Sequence, residues 1–422
     1  MNLAATKISK IANGLTVATS AMPAATSVAV GFWINVGTRH EPADANGVAH
    51  LVEHMLFKGT TTRSALDIAS ALENVGGSMN AYTSREQTAY YARVLPEDMP
   101  LAIELLADMI QHSTLLEDEL VREREVIVQE IGEMHDQPGD LLEYTLHAAA
   151  HPHDHFGRSI LGDASLIAAM PRDKVAAYIR QHYHAGNIIL AAAGPIAHED
   201  IVKLAEAHCA ALPAAPAATD NKPQFKPATV RIERDIEQVT ISLLWPGPSY
   251  EASNSWAYDV AAQILGDGFS SRLFQEVREK RGLVYSIYAS ATNYSDCGTF
   301  EIHASATPDN CAEVLTVSID VLKNFAATVT EAELARAKAQ LKASVLMSYE
   351  NVASRADRLA THLQVFGRVV PVKEMIALYE SVTIDDVRNV MQEILAAPIA
   401  TGLIGPLSTI DNLPDITARL TA

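Results

Sequence analysis

The strongest constraint on this chain is that its order of elements is written twice. "GLTVAT" and "SVAVGFWINVG" read as strands and lead to a helix around 47 to 57. A glycine turn in "GGSMNAYTSREQTAYYARVLPEDM" reads as a hairpin that runs into the helix "PLAIELLADMI". After "ALPAAPAATDNKPQFKPAT" (211 to 229), rich in Ala and Pro, the order returns. "QVTISLLWPG" leads to "SWAYDVAAQILG", and "RGLVYSIYASATNYSDCGTFEIHASATPDN" forms the second hairpin. "LEDELVREREVIVQEI" corresponds to "TEAELARAKAQLKASVL", and "NIILAAAGPIAHEDI" to "IATGLIGPLSTIDNL". A period of about 210 residues is too long for a solenoid and implies a duplicated α+β domain. Two homologous domains are expected, 1–210 and 230–422, joined by the linker 211–229. Strands grouped in hairpins favour a mostly antiparallel sheet in each, covered by helices on one face.

The 422 residues are 48% hydrophobic and 20% charged, the composition of a soluble globular protein. A net charge of −19 disfavours a nucleic-acid surface. No stretch reaches the roughly 18 apolar residues of a membrane span, and "MNLAATKISKIANGLTVATS" lacks a basic region followed by an apolar run. Cys209, Cys297 and Cys311 are odd in number and have no C-x-x-C spacing. They argue against a cysteine zinc site or disulfide framework and fit a reducing compartment. The expectation is a cytoplasmic protein with neither nucleic acid nor membrane as partner.

Within "GVAHLVEHMLFKG" (47 to 59), His50 and His54 stand four apart with Glu53 before the second. On a helix, positions i and i+4 share one face roughly 6 Å apart, so both imidazoles can reach one metal ion. Zinc takes imidazole and carboxylate ligands, and a catalytic zinc keeps a position for water. Glu53 lies where it can accept a proton from that water and pass it to a leaving amine. A third ligand must come from elsewhere, and the acidic helix "EDELVREREVIVQEIGEMHD" is the candidate. Glu123 and Glu130 are two turns apart on one face, and Glu130 follows Val126, Ile127 and Val128 where the helix turns to the core. Glu117, Asp118, Glu119, Glu125 and Glu133 scatter round the helix as a solvated surface. The second copy is an internal control. Its matching helix, "AAQILGDG", has no histidine or glutamate, and Ala337 and Ser344 stand near the positions of Glu123 and Glu130. One metal site per chain is expected.

H-L-V-E-H followed by Glu130 resembles the pitrilysin-type inverted zinc metallopeptidases. The nearest branch is the short one of bacterial processing-type peptidases and the mitochondrial processing peptidase β subunit. "GTRHEP", "GGSMNAYTSREQTAYY", "EREVIVQEI", "GRSILG" and "SSRLFQEVREKRGLVYSIYA" extend the resemblance over nearly the whole chain. It implies one zinc ion on His50, His54 and Glu130, with Glu53 as general base and Glu123 supporting the ligands. It also implies that Arg278 and Tyr285, seven apart in "VREKRGLVYSI", contact the substrate near the scissile carbonyl, with Arg281 outside the motif. Asn80 and Ala81 then belong to an edge strand that takes the peptide as an added strand. The activity implied is a zinc endopeptidase acting on extended peptides inside a closed chamber.

The family's single-chain members carry four such units and this chain two, so the resemblance implies a homodimer with a shared site, or a heterodimer with a related subunit. The rival is a non-catalytic member of the family, such as a respiratory-complex core subunit or a processing-peptidase partner. Those typically have a broken H-x-x-E-H or lack the arginine–tyrosine pair. His151, His153 and His155 alternate in "HPHDHFGR" without a supporting helix or acid and read as loop. "HYH" at 182 to 184 reads as a helix end.

Overall fold

Five strands recur in one order in two sheets. The computed structural model describes residues 6–152, 154–215, 222–410 and 415–421. The first sheet contains β1 (Thr6–Lys10), β2 (Thr16–Ala21), β3 (Val28–Ile34), β4 (Ser78–Thr83), β5 (Thr88–Val94) and β6 (Ile188–Gly194), in the order β1-β2-β6-β3-β5-β4. The second contains β7 (Ala228–Glu233), β8 (Val239–Gly247), β9 (Val284–Asn293), β10 (Gly298–Ala306) and β11 (Ala400–Gly405), in the order β7-β11-β8-β10-β9. With β1 set aside, β2-β6-β3-β5-β4 superposes in order on β7-β11-β8-β10-β9. In each, the first pair is parallel and the other three are antiparallel. The duplicated, mostly antiparallel α+β architecture is therefore observed.

A backbone detail repeats as well. Gly194 closes β6 with φ 147°, and Gly405 closes β11 with φ 149°, a region that disfavours any side chain. A Cβ on Gly194 would lie 2.9 Å from Val28 Cα at the start of β3. A Cβ on Gly405 would lie 2.9 Å from Val239 Cα at the start of β8. The same close crossing of strand ends is made in both copies.

The helices that matter below are α1 (Val48–Leu56), α2 (Glu117–Asp136), α3 (Pro138–Ala150), α4 (Ser255–Gly266) and α5 (Val352–Phe366). The chain forms two compact units, one from residues 6–132, 158–215 and 347–369, the other from 133–157, 222–346 and 370 onward. Each thus contains a helix from the opposite half of the sequence: α5 in the first unit and α3 in the second. Residues 216–221 of the expected linker lie outside the described residues.

These two helices correct one expectation. Helices were expected on one face of each sheet, yet β3 and β6 are buried along their whole length. In the first unit, Val352, Ala356, Leu359 and Ala360 of α5 pack on Ala18, Ala29, Trp33, Ala191 and Ala193. The row of alanines on the sheet lets the helix approach closely, with Trp33 and Leu359 filling the space beside them. In the second unit Leu146 and Ala150 of α3 pack with Leu244 and Ala400. No helix among the described residues is long and apolar enough to cross a membrane.

Candidate metal centre

Helix α1 starts abruptly. Gly47 precedes it with φ 94°, and the Glu41 carboxylate, fully buried, accepts from Gly47 N and Ala49 N at 2.8 Å each. It also accepts from Asn46 Nδ2 at 2.7 Å. A carboxylate here satisfies the free amides of the first turn and lies at the positive end of the helix dipole. Burial pushes the Glu41 carboxyl up to about 7, against those hydrogen bonds and the charge of Arg158. From this start, Val48, Ala49, Leu51, Val52, Met55 and Leu56 are buried. His50, Glu53 and His54 remain as one partly exposed stripe.

Helix α2 brings its own stripe to the same place. Leu120, Glu123, Ile127 and Ile131 are buried, and Glu130 continues that face. Glu130 Oε2 is 3.8 Å from both His50 Nε2 and His54 Nε2. One ligand atom from each of the three lies within 4.8 Å of the others, the only such group among the described residues. Donor atoms round a tetrahedral zinc with bonds of about 2.0–2.1 Å would be about 3.3 Å apart, so a small closure would seat the ion. The two imidazole rings stand at 70° with centroids 4.6 Å apart, which presents both Nε2 atoms to one point.

The surrounding groups prepare the ligands. Burial, with the neighbouring His54 charge, holds His50 down at about 4, so its imidazole is neutral and has a lone pair to offer. Its buried Nδ1 has no hydrogen-bond partner among the described groups, leaving Nε2 as its outward function. His54 Nδ1 is 2.9 Å from Glu123 Oε2, and Lys58 Nζ is 2.7 Å from Glu123 Oε1. Burial opposes a charge on His54, but the Glu123 hydrogen bond and the charges of Glu130, Glu123 and Glu53 outweigh it and raise its affinity for a proton. Burial likewise acts to raise Glu123, yet its bonds to His54 and Lys58 win and keep it ionised. The donor set of two imidazoles and a carboxylate, oriented by a buried carboxylate, fits zinc.

Glu53 stands beside the group. Its Oε2 accepts from Thr83 Oγ1 of β4 at 2.6 Å, which leaves Oε1 free of that bond. Burial raises its pKa, with a contribution from Glu130, against the Thr83 hydrogen bond and His54. Asn80 and Ala81 lie on β4, which is an edge of its sheet. Ala81 N donates to Asn80 Oδ1 at 2.9 Å, so this amide is turned to the open edge and not into the sheet.

Arg278 and Tyr285 belong to the second unit. Arg278 lies on the π-helical segment Phe274–Glu279, with its guanidinium 4.6 Å from the Phe274 ring centre and 5.6 Å from that of Tyr285. Tyr285, on β9, is 82% exposed. Arg281 instead bonds Glu276, through its carboxylate at 2.9 Å and its carbonyl at 2.7 Å.

Three supporting groups escaped sequence reasoning: Glu41, Thr83 and Lys58. Only Lys58 left a signal, as it stands four residues after His54. A partly buried His147–Glu301–His303 cluster in the second unit was also missed; Glu301 lies 3.2 Å from His147 Nε2 and 2.8 Å from His303 Nε2. His151 packs on Phe156 (4.8 Å between ring centres) and Phe225 (5.4 Å), and His155 begins a short 3-10 turn. His153 lies outside the described residues. His182 ends the helix Arg172–His182 and packs at a tilt against Tyr178, with ring centres 4.6 Å apart.

Comparison with known proteins finds two family models along the chain. Residues 16–164 match the insulinase family (peptidase family M16), and residues 169–341 match a domain described as the peptidase M16 inactive domain. An uncharacterized zinc protease of Streptomyces coelicolor is 38% identical over 404 residues, 93% of this chain and 88% of the relative. A probable mitochondrial-processing peptidase subunit β of Arabidopsis thaliana is 34% identical over 97% of this chain and 80% of its own. In fold, the chain is similar to the crystal structure of a protease from Helicobacter pylori, with a TM-score of 0.90, 22% identity, and coverage of 96% of this chain and 100% of that one.

Proposed function

The chain belongs to the insulinase family of peptidases (M16), and from that premise we propose that it is a zinc-dependent endopeptidase acting on peptides held in extended form. The observation that carries the proposal is the meeting of His50, His54 and Glu130, with Glu53 held beside them by Thr83. His50, His54 and Glu130 would hold the metal. When bound, zinc supplies a Lewis acid that polarises water and the scissile carbonyl. Glu53, its Oε2 fixed by Thr83, takes the proton of the attacking water on Oε1 and delivers it to the leaving nitrogen. Burial keeps that carboxyl basic enough to accept the proton. Glu123 and Lys58 lock the ring of His54.

The peptide adds to the open edge of β4, where Ala81 N–H exchanges its bond with Asn80 for one with the substrate backbone. Arg278 and Tyr285 supply donors to the substrate and the developing oxyanion. Two units per chain are half of what the four-unit relatives use, so the working enzyme is a dimer in which Arg278 and Tyr285 of one chain serve the metal site of the other. A related second subunit in place of the identical one is the variant of this reading supported by the similarity to a processing-peptidase β subunit. A purely structural role is not favoured, because H-x-x-E-H and its third ligand are complete.

The test assays the purified chain on a set of quenched peptides, with and without chelator. Chelator-sensitive cleavage is expected, restored by zinc and lost in Glu53→Gln while zinc is retained. Cleavage by Glu53→Gln at the wild-type rate would remove Glu53 from the role of base.

A further inference from the structure

A cavity of about 640 Å3 opens on the face of the first sheet opposite Glu53. Its walls include Trp33, Tyr82, Tyr91, Ala353 and Ala356, contributed by β3, β4, β5 and α5. Trp33 and Tyr91 stack at 6.5 Å between ring centres, and Tyr82 and Tyr91 meet at 6.2 Å. One carboxylate oxygen fixes two of these walls. Asp357 Oδ1 accepts from Trp33 Nε1 at 3.0 Å and from Tyr82 OH at 2.9 Å. Tyr82 OH also bonds Gln87. Arg93, at the other end, donates to Ser27 Oγ at 3.2 Å. The charged groups of the cavity therefore already have partners, and what its walls offer a ligand is mainly flat aromatic and methyl surface, beside the polar side chains of Ser78, Asn80 and Ser354.

The cavity lies along the strand proposed to receive the peptide. Successive side chains of a strand point to opposite faces. Thr83 of β4 reaches Glu53 on one face, and Tyr82 reaches Asp357 on the other. Ser78 and Asn80 line the cavity together with Tyr82. In a strand paired with the β4 edge, a residue opposite Ala81 points its side chain toward the Glu53 face. Residues opposite Asn80 and Tyr82 point theirs toward the cavity.

We propose that this cavity is a specificity site, taking large apolar side chains from alternate residues of a peptide added to β4. The inference rests on the peptidase reading for its occupant, but it concerns the face of the sheet that does no chemistry. Its volume accommodates two side chains, those on either side of the residue held over Ala81. Burying a phenyl group there favours binding over an alanine by on the order of tenfold or more.

Labelled peptides with lysine ends, threonine at every second position and phenylalanine, tryptophan or alanine between are the probes. Their affinity for zinc-loaded Glu53→Gln protein is read by fluorescence anisotropy, and their cleavage by wild-type protein is measured separately. The phenylalanine peptide is expected to bind at least tenfold tighter than the alanine peptide. Ala353→Phe, which fills the cavity from α5, brings the ratio to within about twofold. Tyr91→Ala, which enlarges it, shifts the preference from phenylalanine to tryptophan, and this variant decides if Ala353→Phe does not fold. Equal affinities in the parent, binding of neither peptide, or a ratio untouched by both variants overturns the proposal. Cleavage with equal affinities leaves the peptidase reading standing without the specificity site. A cavity-dependent preference without any cleavage does the reverse.

Discussion

Glu123→Gln is the most informative single change at the metal centre. Glu123 is 5% exposed and joins two basic groups, His54 Nδ1 at 2.9 Å and Lys58 Nζ at 2.7 Å. The amide keeps the shape, and its oxygen can still accept from the imidazole. It loses the charge that makes the imidazole a stronger ligand and that neutralises Lys58. Removing a carboxylate from behind a histidine ligand costs about 10–100-fold in metal affinity, or about 1.4–2.7 kcal/mol. A second effect has the opposite sign. Despite its burial, the metal-free His54 has a raised affinity for protons, with Glu123 the leading favourable cause, and zinc must displace that proton. Glu123→Gln weakens the proton's hold as well as the metal's. Zinc affinity measured by competition with a chromogenic chelator should therefore fall by the full 10–100-fold near pH 8. The gap to wild type should narrow as the pH drops below the raised His54 value. Equal affinities at pH 8, or a gap that widens on acidification, would refute the role given to Glu123.

Three further outcomes are expected. Metal analysis should find about one zinc per chain, lost in a His50→Ala, His54→Ala double variant, because the second copy offers no ligand group among its described residues. Mixing Glu53→Gln with Tyr285→Phe under subunit exchange should restore activity to about half of wild type in mixed dimers, since one of their two shared sites carries neither defect; absence of recovery despite exchange would mean that the Arg278–Tyr285 pair acts within its own chain or not at all. Glu41, raised to about 7 in the folded protein, holds a proton that the unfolded chain releases near its ordinary 4.5. Its contribution to stability is present below pH 4.5 and lost as the pH rises toward and through 7, by about 3 kcal/mol. Denaturant unfolding of wild type against Glu41→Gln should show that difference in slope, and parallel pH profiles would contradict it.

What the sequence determined by itself was local and periodic. The i, i+4 spacing put His50 and His54 on one face, and the seven-residue step from Glu123 to Glu130 put both on another, because helical geometry is set within a few residues. The duplicated order of strands and helices was likewise legible, and the absence of ligands from the second copy could be read from α4 by comparison with α1. Tertiary structure decided what meets across long stretches of chain. Thr83 reaches Glu53 from a hairpin 30 residues on. Asp357 reaches Trp33 across 324 residues, from a helix that sequence order assigns to the other half. No spacing rule encodes such meetings. The alternation within β3 or α5 says which residues turn inward, but which helix covers the second face follows from packing over the whole chain, and here the alanines of β3 and β6 admit α5 closely enough to close it.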